Sequence, residues 1–158
     1  MSVSDRAVAI LNRGNVKTTW NRLLIVDYLL EHPGHWCAEE IYQGLDAEGH
    51  APVKATVYNS LHALEEGRVL RSLDALQGEK RFELADERHA HAVCTSCGLM
   101  VDVALPEALV ETREFPDMEG FTWADLQLTY YGLCKDCQTS GSPSPKTELK
   151  PGTLSADL

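Results

Sequence analysis

The stretch PVKATVYNSLHALEEGRVLRSL, residues 52–73, decides how this chain folds. After Pro52, the apolar residues Val57, Leu61 and Leu64 fall at i, i+4 and i+7, one face of a helix running from about Val53 to Glu66. Gly67 stands where that helix must close. Val69 to Leu73 then reads as a strand, and Arg81-Phe82-Glu83-Leu84 as its partner across a Gln77-Gly78-Glu79 turn. Upstream, Val8 and Leu11 mark a short leading helix. Thr19 is placed to cap a second helix, which carries Leu23, Leu24, Val26, Tyr28, Leu29 and Leu30 until Pro33-Gly34 stops it. Ile41, Tyr42 and Leu45 mark a third helix, ending near Gly49. Helix, helix, turn, helix, hairpin is the order of a winged helix-turn-helix.

Downstream the pattern changes. His91 to Cys94 and Leu99 to Val103 read as strands, Pro106 to Glu114 as a helix, and Phe121 to Tyr131 as a longer alternating strand. The fold class expected is therefore α+β: a winged helix-turn-helix over residues 1–85, then a small α/β module over 86–138. Ser, Thr, Gly and Pro dominate the last 20 residues, 139–158, which read as a disordered tail.

No run of roughly 18 apolar residues occurs, since Asp27 breaks the richest stretch, Leu23 to Leu30; no membrane span is expected. The first residues lack a basic-then-apolar leader, so a cytoplasmic location is expected. The net charge of −10, from 14 basic and 24 acidic residues, argues against nucleic acid when taken alone, because phosphate binding needs local positive charge. The excess of acid is greater in the second half, which suits cation binding and leaves room for a basic face in the first.

Cys94-Thr95-Ser96-Cys97 and Cys134-Lys135-Asp136-Cys137 are both C-x-x-C. Two residues between thiolates let both sulfurs of a knuckle reach one ion, and two knuckles complete a tetrahedral sulfur shell suited to structural Zn(II). A redox dithiol is the rival reading; it usually opens a helix after a strand, a setting not expected here. The fifth cysteine, Cys37, reads as a small, part-buried side chain.

His89 and His91 stand at i and i+2 on one strand face, Asp102 lies on the next strand, Glu83 ends the wing, and His35 sits in the turn before the third helix. Together these are a mixed nitrogen and oxygen donor set suited to Fe(II), Mn(II) or Zn(II). Spacing alone fits exposed polar residues equally well.

The motifs Thr56-Val57-Tyr58-Asn59-Ser60-Leu61, Glu65-Glu66-Gly67-Arg68-Val69, Arg81-Phe82-Glu83-Leu84, His89-Ala90-His91-Ala92-Val93-Cys94-x-x-Cys97-Gly98 and Tyr131-Gly132-Leu133-Cys134-x-x-Cys137 follow one another in the order of the ferric uptake regulator family. The chain resembles these bacterial metal-sensing repressors from about Val16 to Gln138. The resemblance implies a DNA-binding winged helix, a dimerisation domain, structural zinc on Cys94, Cys97, Cys134 and Cys137, and a regulatory metal on His35, Glu83, His89, His91 and Asp102. Mn(II) or Fe(II) is the regulatory ion expected, with Zn(II) accepted by the same shell in vitro.

Two departures from the family pattern matter. Arg88, Ala90 and Trp123-Ala124-Asp125 replace the histidines of an additional site found in many members. Glu83 stands where peroxide sensors of the family generally carry Asp, and its longer side chain fills coordination space, favouring a metal sensor. Zinc sensors tend to add a thiolate to this site. Cys37 is near His35 in sequence, but in a helix residues i and i+2 face apart.

In such a regulator the second helix of the motif enters the major groove. Lys54, Thr56, Tyr58 and Asn59 then lead toward operator DNA. Lys17 and Arg22, with Arg71, Lys80 and Arg81 on the wing, are candidates for minor-groove or phosphate contacts. The partners expected are double-stranded operator DNA and a second copy of the chain. A zinc deaminase is disfavoured because the chain lacks His-x-Glu ahead of Pro-Cys-x-x-Cys. A zinc-ribbon interaction module without DNA binding is the alternative of another class, and peroxide or zinc sensing the alternatives within the family.

Overall fold

The computed structural model describes residues 4–75, 78–85, 88–107, 119–122 and 126–139, which fall in two compact units, Met1–Arg88 and His89–Leu158. In the first unit, α1 (Asp5–Arg13) starts at Ser4, whose hydroxyl accepts from Ala7 N at 3.3 Å. Helix α2 (Trp20–Glu31) buries Leu24, Ile25, Val26, Tyr28 and Leu29, residues on nearly every side. A helix apolar all round belongs at the centre of its domain. Thr19 occupies its N-cap position, yet the side chain makes no capping hydrogen bond. The loop entering the helix is held instead by Arg22, whose Nη1 donates to Lys17 O at 2.8 Å.

Two more helices pack on α2. Helix α3 (Ala38–Ala47) contributes Ile41 and Leu45 to the core, and α4 (Lys54–Glu66) contributes Val57, Leu61 and Leu64. Fully burying each such side chain contributes about 1.5–3 kcal/mol. This buried face leaves Tyr58 and Asn59 of α4 exposed. Strands β1 (Trp36–Cys37), β2 (Leu70–Asp74) and β3 (Lys80–Leu84) form an antiparallel sheet in the order β1-β3-β2. The wing thus has a third, two-residue strand that sequence reading missed. Leu70 and Phe82 tie the sheet to the helical core.

In the second unit, β4 (Ala90–Cys94) lies between antiparallel β5 (Met100–Val103) and parallel β6 (Thr129–Gly132). A parallel pair requires a crossover connection. The strand expected from Phe121 is corrected: β6 begins at Thr129, where the ladder with His91 begins, and Leu126–Leu128 precede it outside any strand. A short helix, α5 (Lys135–Thr139), closes the described chain. The expected helix beyond Glu107, Trp123-Ala124-Asp125, the boundary residues Asp86-Glu87, Gln77 of the hairpin turn and the tail from residue 140 lie outside the described residues.

Candidate metal centres and nucleic-acid interface

Four sulfurs converge in the second unit. One ligand atom from each of Cys94, Cys97, Cys134 and Cys137 lies within 4.8 Å of every other. Sulfurs about 2.3 Å from a tetrahedral zinc stand about 3.8 Å from one another, and Cys97 Sγ lies 3.8 Å from Cys134 Sγ. Gly98, at φ 78°, turns the chain after the first knuckle so that Cys94 N can donate to Leu99 O at 2.8 Å. The second knuckle is tied to the first by Cys134 N, which donates to Cys94 Sγ at 3.3 Å, and by Thr95 N, which donates to Gly132 O at 2.8 Å.

Electrostatics favours a cation among these thiols. Backbone N–H groups of Cys134 and Cys97 pull the Cys94 thiol down to about 6. Cys137 is pushed up to about 12: a hydrogen bond from Ser96 lowers it, but the neighbouring Cys134 sulfur, desolvation, and the Cys97 and Cys94 sulfurs together outweigh that. One sulfur is prepared as a thiolate while its neighbours resist a second negative charge, the situation a divalent ion resolves. The residues present therefore fit structural zinc. The second pair does open a helix after a strand, contrary to expectation. The convergence of all four sulfurs still distinguishes it from an isolated redox dithiol.

Among the described residues, nitrogen and oxygen donors gather around His32 with Glu31 and Glu48, and in two groups that hold the expected ligands, one in each unit. In the first, His35 follows Gly34 in the turn between α2 and β1, and its Nε2 lies 3.0 Å from Glu83 Oε2 on β3. Both side chains are 7% exposed. Arg81, which faces Cys37 in the β1–β3 register, donates from Nη1 to His35 O at 2.9 Å and so holds the turn. In the second unit, His91 faces Asp102 directly across the β4–β5 ladder. The Nε2 atoms of His89 and His91 lie 3.5 and 3.9 Å from Asp102 Oδ1, with the two rings 4.6 Å apart. Each group brings imidazole and carboxylate to one point, the chemistry of a borderline divalent ion.

Cys37 has a role the sequence reading did not find. Its sulfur accepts from Glu40 N at 3.4 Å while Glu40 Oε2 accepts from Cys37 N at 2.8 Å, closing a capping box on α3. The helix argument for separating Cys37 from His35 is corrected: Cys37 ends a strand, and its N-cap bond is what occupies the sulfur. Burial raises its thiol above the ordinary value.

The candidate DNA contacts divide into two groups. Lys17, Lys54, Tyr58, Asn59 and Lys80 are exposed, with Thr56 and Arg22 half-buried. Lys54 pairs with Glu39, which also accepts from Tyr58 Oη at 3.4 Å, and Lys80 Nζ lies 2.9 Å from Glu65 Oε1. Arg71 and Arg81 are engaged with carboxylates of their own unit. Arg71, 14% exposed, puts Nη1 3.0 Å from Glu83 Oε1. Arg81, besides holding His35 O, pairs with Glu40 at 3.4 Å and Glu79 at 3.1 Å. Register decided both outcomes, because each arginine lies within reach of a carboxylate that sequence spacing does not bring near.

Comparison with known proteins places these features in context. The model of the ferric uptake regulator family matches residues 13–131. A peroxide-responsive repressor, PerR, of Staphylococcus aureus (strain USA300) is 30% identical over 134 residues, 85% of this chain and 90% of that protein. The ferric uptake regulator of Pseudomonas aeruginosa, solved with manganese, superposes with a TM-score of 0.66 at 28% identity, covering 82% of this chain and 98% of that one. That of Vibrio cholerae gives a TM-score of 0.64 at 27% identity over 82% of this chain and 100% of that one.

Proposed function

The chain belongs to the ferric uptake regulator family, and from that premise we propose that it is a dimeric repressor that binds operator DNA when loaded with Mn(II) or Fe(II) and controls metal-homeostasis genes. Members of this family are metal-responsive transcription regulators, and the chain is accordingly a regulator and not an enzyme.

One observation carries the regulatory reading. Each unit has its own imidazole–carboxylate group, His35 with Glu83 in one and His89, His91 and Asp102 in the other. In our reading a single divalent ion takes ligands from both groups and limits how the units can be arranged, while zinc on Cys94, Cys97, Cys134 and Cys137 cross-links β4 to the segment after β6. A ligand shifts such an equilibrium only by its differential affinity for one arrangement, and operator DNA must then tighten metal binding by the same factor.

The DNA reading rests on the exposed side of α4. Lys54, Thr56, Tyr58 and Asn59 lead into the major groove, with Lys17, Arg22 and Lys80 toward phosphates. Lys54 and Lys80 already have carboxylate partners, Glu39 and Glu65, so phosphate must compete with protein acid as well as with salt. A cytoplasmic location accords with this role; among the described residues no helix is long and apolar enough to cross a membrane. Homodimerisation is supported by exposed apolar residues on the second unit's sheet: Val101 and Tyr130, both facing Ala92 in register, are 45% and 44% exposed.

Gel-shift titration tests the reading. Operator affinity should rise with Mn(II) or Fe(II) and fall with chelator; equal affinity in both conditions contradicts it. The Staphylococcus aureus relative, a peroxide-responsive repressor, gives peroxide sensing a place as second reading. Under that reading, peroxide abolishes operator binding of the Fe(II) form and spares the Mn(II) form. Under ours, it spares both.

A further inference from the structure

Arg71 and Glu83 stand directly opposite one another in the β2–β3 ladder, where side chains project to the same face. Both oxygens of the Glu83 carboxylate are engaged within this one unit: Oε2 lies 3.0 Å from His35 Nε2, and Oε1 lies 3.0 Å from Arg71 Nη1. The pair is shielded, with side chains 14% and 7% exposed. A carboxylate so placed needs a compensating charge, and the guanidinium supplies it through a planar, delocalised donor.

We propose that Arg71 is a positioning residue that sets the metal concentration at which this regulator responds, by competing as a cation for the Glu83 carboxylate. This inference rests on the reading of Glu83 as a regulatory-metal ligand. A divalent ion approaching Glu83 meets a carboxylate already shared with a positive charge a few ångströms away. Coulomb repulsion at that range, with little water between, weakens binding. The same contact stabilises the metal-free chain, because without it the shielded Glu83 loses its guanidinium partner. The threshold for the metal response therefore rises by two routes, repulsion in the loaded form and stabilisation of the unloaded one. A merely structural residue would act in the opposite sense, since its loss would loosen the ligand and weaken the ion.

The test titrates Mn(II) alone into the full-length chain carrying zinc on its cysteines, with free aquo-ion followed by electron paramagnetic resonance. Arg71→Gln should bind Mn(II) at least about tenfold more tightly than the unaltered chain, while its metal-free Tm falls. Arg71→Lys retains the charge and should stay within about threefold of the unaltered affinity. Should Arg71→Gln fail to fold, Arg71→Met, whose stem keeps much of the packing, carries the same expectation. Unchanged or weaker Mn(II) binding in the neutral variant overturns the proposal. Glu83→Gln separates this from the reading beneath it: if that variant loses Mn(II) while Arg71→Gln changes nothing, only the role of Arg71 falls. If Glu83→Gln keeps the unaltered affinity, the assignment of Glu83 falls with it.

Discussion

Gly44→Ala should destabilise this protein, although alanine is the better helix former by about 1 kcal/mol. Gly44 lies within α3 where Tyr28 of α2 crosses it. A Cβ there would overlap Tyr28 Oη and Cζ and stand 2.7 Å from Cε2. Tyr28 is 8% exposed, with its ring 4.5 Å from that of His32 and 6.1 Å from that of Trp36, so it has little freedom to withdraw. Overpacking of this kind costs about 1–3 kcal/mol, and disturbing an aromatic pair about 0.5–1.5 kcal/mol more. Against a helix gain of about 1 kcal/mol the net loss is about 0.5–3.5 kcal/mol, or roughly 1–14 °C in Tm for a chain of this size.

The effect should reach the metal ligand too. Trp36 Nε1 donates to His32 O at 2.9 Å across the turn that carries His35, so a displaced Tyr28 ring disturbs that turn. Circular dichroism melting of the Gly44→Ala protein, paired with Mn(II) titration, should show a lower Tm together with weaker binding. Adding Tyr28→Leu should make the double variant less unstable than the sum of the single ones by at least about 1 kcal/mol. A higher Tm for Gly44→Ala would refute the reasoning, because it would mean that α2 and α3 do not meet at this point.

Other expectations are narrower. In zinc-stripped protein one thiolate, that of Cys94, should be seen by its ultraviolet absorbance above pH 6 and lost as the pH falls through about 6, since the N–H groups of Cys134 and Cys97 favour the charged form; no step below pH 8 would contradict the arrangement. Cys37→Ser should keep the α3 cap, whereas Cys37→Val should lower stability by about 1 kcal/mol, measured by urea unfolding. Asn59→Ala, at an exposed position on α4, should cost about 1–3 kcal/mol of operator affinity and leave Tm unchanged.

Much of this architecture was legible because its signals are periodic. Val57, Leu61 and Leu64 pointed to one helical face and are buried there, and the apolar residues of α2 marked a central helix. The two cysteine pairs were legible from spacing, since zinc geometry admits few alternatives. What escaped was aperiodic or depended on register. Strand β1 is only two residues long, too short for alternation to register. The α3 cap was missed because cysteine is an unusual N-cap residue, although Glu40 three positions on was the available signal. Thr19 had the right residue type and position but lacks the bond, as the Arg22 contact with Lys17 O holds that entry instead. The engagement of Arg71 with Glu83 becomes visible only once β2 and β3 are aligned.

The reciprocal measurement is the most direct test of the regulatory account. Mn(II) affinity is determined with and without operator DNA for the unaltered chain, for Glu83→Gln in the first unit and for His89→Ala in the second. The account predicts that operator tightens Mn(II) binding by the same factor by which Mn(II) tightens operator binding, and that either substitution removes this coupling. Full coupling retained in either variant would contradict it.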